Sequence, residues 1–334
     1  MTTKYDVYAL GNALVDTEIE VSDAFLDQAG IGKGLMTLVD EAQQQALLDA
    51  LSKEATAHKQ TSGGSACNTV VATQLFGGRS YYACKVADDA TGDIFVQDLQ
   101  AAGVDTNMAA GREQGVSGKC LVMITPDAER TMNTYLGISQ SVSTAELDEA
   151  AIAASKYVYL EGYLVSADNA RQAAVELRKT AEKHGVKTAL TFSDPAMVQF
   201  FRDGLNEMLG DGVDLLFCNA AEATGFTDTD TVDQALERLK PRCKAVVITL
   251  GAKGALVWDG QQRHEIAAVP VKPVDTNGAG DMFAGAFLYA LSQGHDHATA
   301  GKLASAASAR LVTEFGPRLS AVVHQQLRDD ILGA

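Results

Sequence analysis

A glycine-rich run near residue 280 combines the residue types that phosphoryl transfer needs. It reads Asp-Thr-Asn-Gly-Ala-Gly-Asp over residues 275–281 and leads directly into an apolar stretch that ends at Leu291. Apolar residues recur in that stretch at helical spacing, which predicts that a helix begins at the glycines. A helix N-terminus presents free N–H groups and a partial positive charge, and both suit a phosphate. The sequence therefore predicts an anion hole formed by the N–H groups of Asn277, Gly278, Ala279 and Gly280.

The last residue of the run, Asp281, is a carboxylate at a position where it would repel a phosphate. The conflict disappears if Asp281 takes the proton of a hydroxyl group that attacks the phosphate, which is general-base catalysis. An aspartate in the first turn of a helix is also an ordinary neighbour of the helix dipole. The catalytic interpretation of Asp281 therefore depends on what the rest of the chain offers.

Two clusters within the first 70 residues suit a polyol. Gly63 and Gly64 permit a close backbone approach, and Asn68 lies one turn into a predicted helix with a donor and an acceptor available. Asn12 and Asp16 follow the first predicted strand, where paired hydrogen bonds from such residues can hold two adjacent hydroxyl groups. A helix cap and a solvated surface loop are the structural alternatives.

Two later clusters suit a nucleotide. Thr249, Gly251 and Gly254 lie between two predicted strands, where a phosphate loop and a plain hairpin turn fit equally well. Asn219 and Glu222 follow another strand; the pair can hold a hydrated Mg²⁺, or it can cap a helix with a carboxylate at the third position. With Asn277 of the anion hole, these residues form the predicted ATP-binding set.

Composition restricts the classes of partner. The 334 residues carry a net charge of −16, and 46% of them are hydrophobic. Nucleic-acid binding relies on Lys and Arg that neutralise phosphates, so we expect no nucleic-acid partner. A small anion such as ATP remains compatible, because metal ions and N–H dipoles offset the field of the protein.

The cysteines and the apolar segments indicate the compartment. Five scattered cysteines without a Cys-x-x-Cys pair predict reduced thiols rather than disulfides or a zinc site. No run approaches the roughly 20 apolar residues that span a bilayer, and the first residues do not read as a secretory signal. We therefore expect a cytoplasmic protein with no membrane partner.

Strand-like runs alternate with helix-like runs along most of the chain. This order predicts an α/β fold with a mostly parallel sheet, helices on both faces, and a ligand site beyond the carboxyl ends of the strands. The predicted strands are Val7–Leu10, Ser80–Val86, Tyr157–Leu160, Lys187–Phe192, Val213–Phe217 and Ala245–Leu250, and the predicted helices are Ala66–Phe76, Gly92–Ala102, Asp168–His184 and Thr231–Leu239.

Four further runs alternate apolar and polar residues, which is typical of strands with one solvated face. These runs are Val15–Val21, Gly34–Val39, Lys119–Thr125 and Arg130–Leu136. We expect them to form a small sheet that acts as a lid, built from about residues 12–40 and 112–138. Only six prolines and no Ser/Gly linker are present, so residues 1–334 are predicted to form one domain.

Together these motifs resemble the ribokinase-like (PfkB) family of sugar and nucleoside kinases, essentially from end to end. The most specific element is the signature Asp-Thr-x-Gly-Ala-Gly-Asp, here at residues 275–281. The resemblance implies a three-layer α/β/α core with a small β-sheet lid, ATP with Mg²⁺ as donor, and a primary hydroxyl as acceptor. It implies Asp281 as the base, Asn219 and Glu222 as residues that organise Mg²⁺ through water, and Asp16, Gly64 and Asn68 as acceptor-binding residues.

Within that family the chain is most similar to the adenosine kinases, chiefly in residues 11–16 and 63–68. Arg130 lies where adenosine kinases place an arginine near the transferring phosphate, whereas Glu161 follows the ribokinase pattern and leaves the acceptor open. Asp275, Gly316 and Ser320 resemble a loop that binds a monovalent cation such as K⁺.

Three hypotheses follow for the function. The first is a nucleoside kinase with adenosine as leading acceptor, the second is a ribokinase- or fructokinase-like sugar kinase, and the third is a non-catalytic nucleotide or sugar sensor. The sequence leaves a monomer and a homodimer equally open, because the edge strands of a lid sheet can pair with a second copy or remain alone.

Overall fold

The structure, a computed structural model, describes residues 3–51 and 57–333. Its strands are β1 Tyr5–Leu10, β2 Leu14–Glu20, β3 Met36–Leu38, β4 Ala57–Gly63, β5 Ser80–Ala83, β6 Asp105–Thr106, β7 Gly118–Ile124, β8 Arg130–Tyr135, β9 Ser155–Leu160, β10 Lys187–Thr191, β11 Val213–Asn219, β12 Cys243–Thr249, β13 Ala255–Trp258 and β14 Arg263–Ile266. Its α-helices are α1 Asp23–Ala29, α2 Glu41–Leu51, α3 Ser65–Leu75, α4 Ala90–Ala102, α5 Glu149–Ala153, α6 Asp168–His184, α7 Pro195–Leu209, α8 Ala220–Thr227, α9 Val232–Leu239, α10 Ala279–Ser292, α11 His297–Leu311 and α12 Ala321–Leu332.

The large sheet has nine strands in the order β14-β13-β12-β11-β10-β9-β1-β5-β6. The seven strands from β12 across the sheet to β6 pair in parallel. Strands β13 and β14 add an antiparallel edge beside β12. Every residue of β1 is buried, as expected for a parallel strand covered on both faces. The predicted mostly parallel sheet is therefore confirmed.

Helices cover both faces of the large sheet and complete three layers. One apolar core joins the sheet to α3, α4, α10 and α11, and a second joins the opposite face to α5, α6, α7, α8 and α9. The α/β/α architecture matches the expectation from the alternating pattern. Within the described ranges, no helix is both long enough and apolar enough to cross a membrane.

A second, five-stranded sheet has the order β3-β8-β7-β2-β4. One face packs on α1 and α2 through a small apolar cluster that includes Ile19, Leu121 and Met123. The four predicted strands of the small sheet are all present, and none of their ends is shifted by more than two residues. Strand β4 was not predicted, because Ala-His-Lys-Gln-Thr-Ser-Gly has no apolar alternation.

The predicted strand Ser80–Val86 is three residues longer than the strand observed. The prediction extends to Val86, whereas β5 ends at Ala83. The N–H of Cys84 donates to Oδ1 of Asn107 at 3.1 Å, and the amide of Asn107 donates back to the carbonyl of Cys84 at 3.0 Å. A side chain thus replaces the next strand as the backbone partner, and pairing stops.

Candidate active site

A cavity of about 510 Å³ lies at the carboxyl ends of the parallel strands, under one face of the small sheet. This is the position that the fold predicts for a ligand. The cavity brings together most of the residues singled out from the sequence: Asn12, Asp16, Gly64, Asn68, Arg130, Glu161, Asn219, Glu222, Thr249, Gly251, Asn277, Gly278, Ala279, Gly280 and Asp281.

Two of the predicted glycines lie outside the cavity lining and have packing roles. A Cβ atom at Gly63 would lie 2.2 Å from the Asp16 carboxylate, so a side chain there would displace Asp16. A Cβ atom at Gly254 would lie 2.0 Å from the carbonyl oxygen of Ile266. Gly63 therefore contributes to the site through Asp16, whereas Gly254 serves the turn between β12 and β13.

The three residues predicted to hold a monovalent cation also lie outside the lining. Asp275 accepts hydrogen bonds from the N–H of Gly316 at 2.9 Å and from the N–H of Asn277 at 2.8 Å. Asp275 thereby ties the loop before α10 to the loop before α12. Ser320 is separate in role, because its hydroxyl caps α12 and its carbonyl accepts a hydrogen bond from His324.

Helix α10 begins at the predicted glycine-rich turn, with Gly278 as its left-handed N-cap. Two of the four N–H groups that were predicted to form an anion hole have partners within the protein. The N–H of Asn277 donates to Asp275, and that of Ala279 donates to the carbonyl of Thr276 at 3.3 Å. The N–H groups of Gly278 and Gly280 donate to no acceptor in the described ranges and remain available to an anion.

The neighbourhood of Gly280 has room for such an anion. A Cβ atom at Gly280 would meet no protein atom within 4 Å, although the residue lines the cavity. Packing within the protein therefore does not explain the glycine. Open space beside a helix N-terminus is what a bound phosphate requires.

Asp281 lies one residue further along α10 and is held by the start of α3. Its Oδ1 accepts a hydrogen bond from the Ser65 hydroxyl at 2.7 Å, and its Oδ2 accepts one from the Asn68 amide at 3.1 Å. Burial raises the pKa of Asp281, while these two donors oppose the rise by favouring the ionised form. The carboxylate is thus fixed in position and faces the cavity.

Asp16 is a buried carboxylate on β2. No group in the described part of the chain donates a hydrogen bond to it. Burial and the nearby charge of Glu18 raise its pKa to about 8. Buried polar groups are usually satisfied, so Asp16 has the character of a group whose donors come from a ligand.

Glu161 joins three elements beneath the cavity. Its carboxylate accepts hydrogen bonds from the N–H of Asn12 at 2.7 Å, the Asn12 amide at 3.0 Å and the N–H of Ala66 at 2.8 Å. Burial raises the pKa of Glu161 to about 7 despite these donors. The side chain therefore fixes the ends of β1 and β9 and the start of α3, and Asn12 is held by the same clamp.

Asn219 and Glu222 form the helix cap that the sequence left open as an alternative. The Asn219 side chain accepts from the N–H of Glu222 at 2.8 Å, and Glu222 accepts from the N–H of Asn219 at 3.0 Å. This reciprocal capping box starts α8. Burial raises the pKa of Glu222 to about 7. Both residues also line the cavity, so capping does not exclude a role toward a ligand.

The charges around the cavity are unbalanced. Asp16, Glu129, Glu161, Glu222 and Asp281 line it, and Arg130 is the one lysine or arginine among the lining residues described. Arg130 lies on β8, where its guanidinium contacts the sulfur of Met132 at 3.1 Å. A polyphosphate that binds here needs further positive charge.

The face of the small sheet that is turned to the cavity is largely apolar. Its side chains alternate along the strands, as the pleat requires. Asp16 stands opposite Cys120, Cys120 opposite Thr134 and Thr134 opposite Leu38, and this row crosses four strands. The cavity-facing residues of the sheet are Leu14, Asp16, Met36, Leu38, Cys120, Arg130, Met132 and Thr134, and Leu136 follows just after β8.

One residue of the site's support, Arg318, was not found from the sequence. Its guanidinium contacts Asn68, Cys67, Ser62 and Asp98, and its side chain is only 11% exposed. Arg318 lies in the loop between α11 and α12, outside any local pattern. No sequence signal could have placed it beside α3.

Comparisons with known proteins agree on the family. The model of the pfkB family carbohydrate kinases matches residues 31–323. Adenosine kinase of Saccharomyces cerevisiae is 29% identical, over 92% of this chain and 95% of its own. The solved structure of a probable sugar kinase from Rhizobium etli matches with a TM-score of 0.92 and 32% identity, over 99% of each chain. That of adenosine kinase from Sinorhizobium meliloti matches with a TM-score of 0.90 and 36% identity, over 97% of this chain and 99% of its own.

The chain belongs to the PfkB family of carbohydrate kinases, as the signature at residues 275–281 predicted. It is a phosphotransferase that acts on an alcohol group, and its substrates are ATP and a nucleoside or a sugar.

Proposed function

We propose that this kinase transfers the γ-phosphate of ATP to the 5′-hydroxyl of a nucleoside, with adenosine as the leading acceptor. The observation that carries the proposal is the cavity face of the small sheet, where Asp16 lies directly beside Cys120 and in the same cross-strand row as Leu38, three strands away. A nucleoside offers ribose hydroxyls to the carboxylate and a flat apolar base to the wall. A simple sugar would leave the wall without a partner. The similarity to adenosine kinases of Saccharomyces cerevisiae and Sinorhizobium meliloti supports the same choice.

Asp281 is proposed as the general base. Its ionised carboxylate accepts the proton of the attacking hydroxyl, whose oxygen then forms the new bond to phosphorus. Ser65 and Asn68 hold the two carboxylate oxygens and leave Asp281 turned toward the cavity. Phosphoryl transfer depends chiefly on position and charge neutralisation, and such a fixed base provides the first.

The phosphate is proposed to lie at the start of α10. We expect the free N–H groups of Gly278 and Gly280 to donate to a phosphate oxygen there, and the open space beside Gly280 gives that phosphate room. Arg130 is proposed to neutralise charge on the transferring group, because it is the cation that the small sheet brings to the cavity. Asn277, Thr249 and Gly251 are proposed to contact the nucleotide.

The donor set of the cavity fits a hydrated Mg²⁺ better than a dedicated metal cage. No group of three or more His, Cys, Asp or Glu within residues 3–51 and 57–333 is arranged to hold a metal ion. Mg²⁺ usually keeps several waters and binds through one or two carboxylates plus substrate phosphates. Glu222 with Asn219 would hold it through water, and its charge would offset the excess of carboxylates. A monovalent cation at Asp275 and Gly316 stays a prediction.

A panel of acceptors tests the proposed function. ADP release is measured with ATP and Mg²⁺ against adenosine, inosine, cytidine, ribose and fructose, each at several concentrations. We expect kcat/KM to be highest for adenosine and at least about tenfold lower for both free sugars, which is the effect of losing one good apolar contact. A clear preference for ribose or fructose would replace the nucleoside by a sugar. Binding of ATP without turnover on any acceptor would favour a non-catalytic sensor.

A further inference from the structure

Arg318 makes contacts that lead directly to the proposed base. Its Nε donates a hydrogen bond to Oδ1 of Asn68 at 3.2 Å, and Nδ2 of the same amide donates to Oδ2 of Asp281 at 3.1 Å. A guanidinium has only donors and an ionised carboxylate only acceptors. The Asn68 amide between them therefore has one favourable orientation, and Arg318 sets it.

The guanidinium is itself fixed from two other elements. Its Nη1 donates to Asp98 of α4 at 2.7 Å, and its Nη2 donates to the carbonyl of Ser62 in β4 at 2.6 Å. Asp98 also accepts hydrogen bonds from the N–H and the hydroxyl of Ser62. Burial is the largest effect on Asp98 and by itself would raise its pKa. The charge of Arg318 and the hydrogen bonds from Ser62 and Arg318 together outweigh burial, so the pKa of Asp98 is lowered. Such a buried, multiply bonded arginine holds its orientation far more strictly than a surface side chain does.

We infer that Arg318 is a positioning residue for the reaction: through Asn68 it holds the Asp281 carboxylate in the orientation that receives the acceptor's proton. The inference rests on the proposed role of Asp281. If Arg318 served only to hold β4 against α4, its contacts with Asp98 and Ser62 would be sufficient. The donor that reaches Asn68 is the feature that a purely structural arginine does not require.

A double-mutant cycle tests the inference. The variants are Arg318→Met, Asn68→Ala and the double variant, each assayed at saturating acceptor, with KM for ATP and Tm measured alongside. We expect Arg318→Met to lower kcat about tenfold or more, with KM for ATP within about twofold of the parent, because a misaligned base weakens the transition state and not the binding of ATP. In the Asn68→Ala background the same change should alter kcat by less than about twofold, because residues that act as a unit are not additive.

Controls separate positioning from folding. Arg328→Met removes an arginine of the same C-terminal region, which contacts the carbonyl of Phe76 and Asp329 and lies outside the cavity, and we expect it to leave kcat unchanged. Arg318→Lys retains the charge without the planar fork, so it should fold while kcat stays low. If Arg318→Met does not fold, Arg318→Lys takes its place in the cycle.

Three results overturn the inference: equal losses of kcat with and without Asn68, a loss of kcat that only follows the unfolded fraction, or full activity in Arg318→Lys. Asp281→Asn is assayed in the same series. Normal turnover in that variant would remove the proposed base itself, whatever Arg318 does. Loss of turnover there, combined with an additive cycle, would reject only the role of Arg318.

Discussion

At the residue scale, the part of the cavity around Asp16 concentrates like charges. Asp16, Glu18 and Asp281 lie close enough that the charges of Glu18 and Asp281 both raise the pKa of Asp16, after burial as the main cause. A carboxylate whose pKa is higher in the folded state destabilises the fold wherever it ionises more readily in the unfolded chain. The proposed acceptor-binding role of Asp16 would therefore oppose stability, as is common for binding sites.

Replacing Asp16 by its neutral isostere Asn should separate the effect of Asp16 on stability from its effect on acceptor binding. Without ligand at pH 7.5, Asp16→Asn should stabilise the protein by about 1 kcal/mol or more, because each pKa unit corresponds to about 1.4 kcal/mol. The gain should shrink as the pH falls from about 8 through 4, because Asp16 is then protonated in the folded protein and also becomes protonated in the unfolded chain, where its ordinary pKa is 3.8. KM for the nucleoside should rise at least about tenfold, because Asn replaces one of the two carboxylate oxygens that can bond the nucleoside's hydroxyls by an NH₂ group.

The measurements are thermal unfolding across that pH range and steady-state kinetics. Asp27→Asn, an exposed change of equal charge on α1, serves as the control and should alter neither. A fall in Tm at pH 7.5 together with an unchanged KM would contradict this account of Asp16.

At the scale of elements, the small sheet serves two surfaces with one alternating pattern. Residues such as Leu121 and Met123 face α1 and α2, while Cys120 faces the cavity. The alternation predicts the strands correctly, but it does not tell a solvated face from a ligand-binding one. If the cavity face binds the acceptor, substitutions on that face of β3 should change KM for the acceptor and leave KM for ATP unchanged.

Leu38 and Leu35 provide a matched test of that face. Leu38 is 43% exposed and lines the cavity, whereas Leu35 is 51% exposed and does not. We expect Leu38→Ser to raise KM for adenosine about fivefold, which corresponds to about 1 kcal/mol of lost apolar contact, with KM for ATP unchanged. Leu35→Ser should leave both values unchanged. Equal effects of the two variants, or an effect on ATP alone, would show that the wall does not hold the base.

The elements also show what local sequence can and cannot predict. Buried parallel strands such as β1 and β9 are predictable because each ends in a continuous apolar run of four residues. Helix α10 is predictable because its apolar residues keep helical spacing. Strand β4 is not, because its pairing with β2 and not its own residues makes it a strand. Arg318 is not, because its partners lie some 220 to 256 positions away in the chain.

At the scale of the whole molecule, the cavity lies between two sheets, and the small one is proposed to act as a lid. Closure over both substrates would exclude water and limit loss of ATP to hydrolysis. On that side, a ligand would contact the apolar face of the small sheet and Arg130 of β8. Binding of a nucleoside should therefore order the small sheet more than the large one.

Hydrogen exchange tests this coupling. With adenosine and a non-hydrolysable ATP analogue bound together, backbone amides of β2, β7 and β8 should exchange at least about tenfold more slowly than in the free protein, because local opening then requires ligand release. Amides of β10 in the large sheet should change much less. Equal slowing in both sheets, or slowing by the ATP analogue alone, would contradict a lid that closes on the acceptor.

The most direct test of the central claim is turnover of adenosine by Asp281→Asn. Asparagine keeps the size of the side chain and removes the proton-accepting charge, so adenosine and ATP should still bind with near-parental affinity in calorimetry. We expect kcat for ADP release to fall by at least about 10²-fold, the lower range for loss of a general base. Near-normal turnover by a folded Asp281→Asn protein would contradict the assignment.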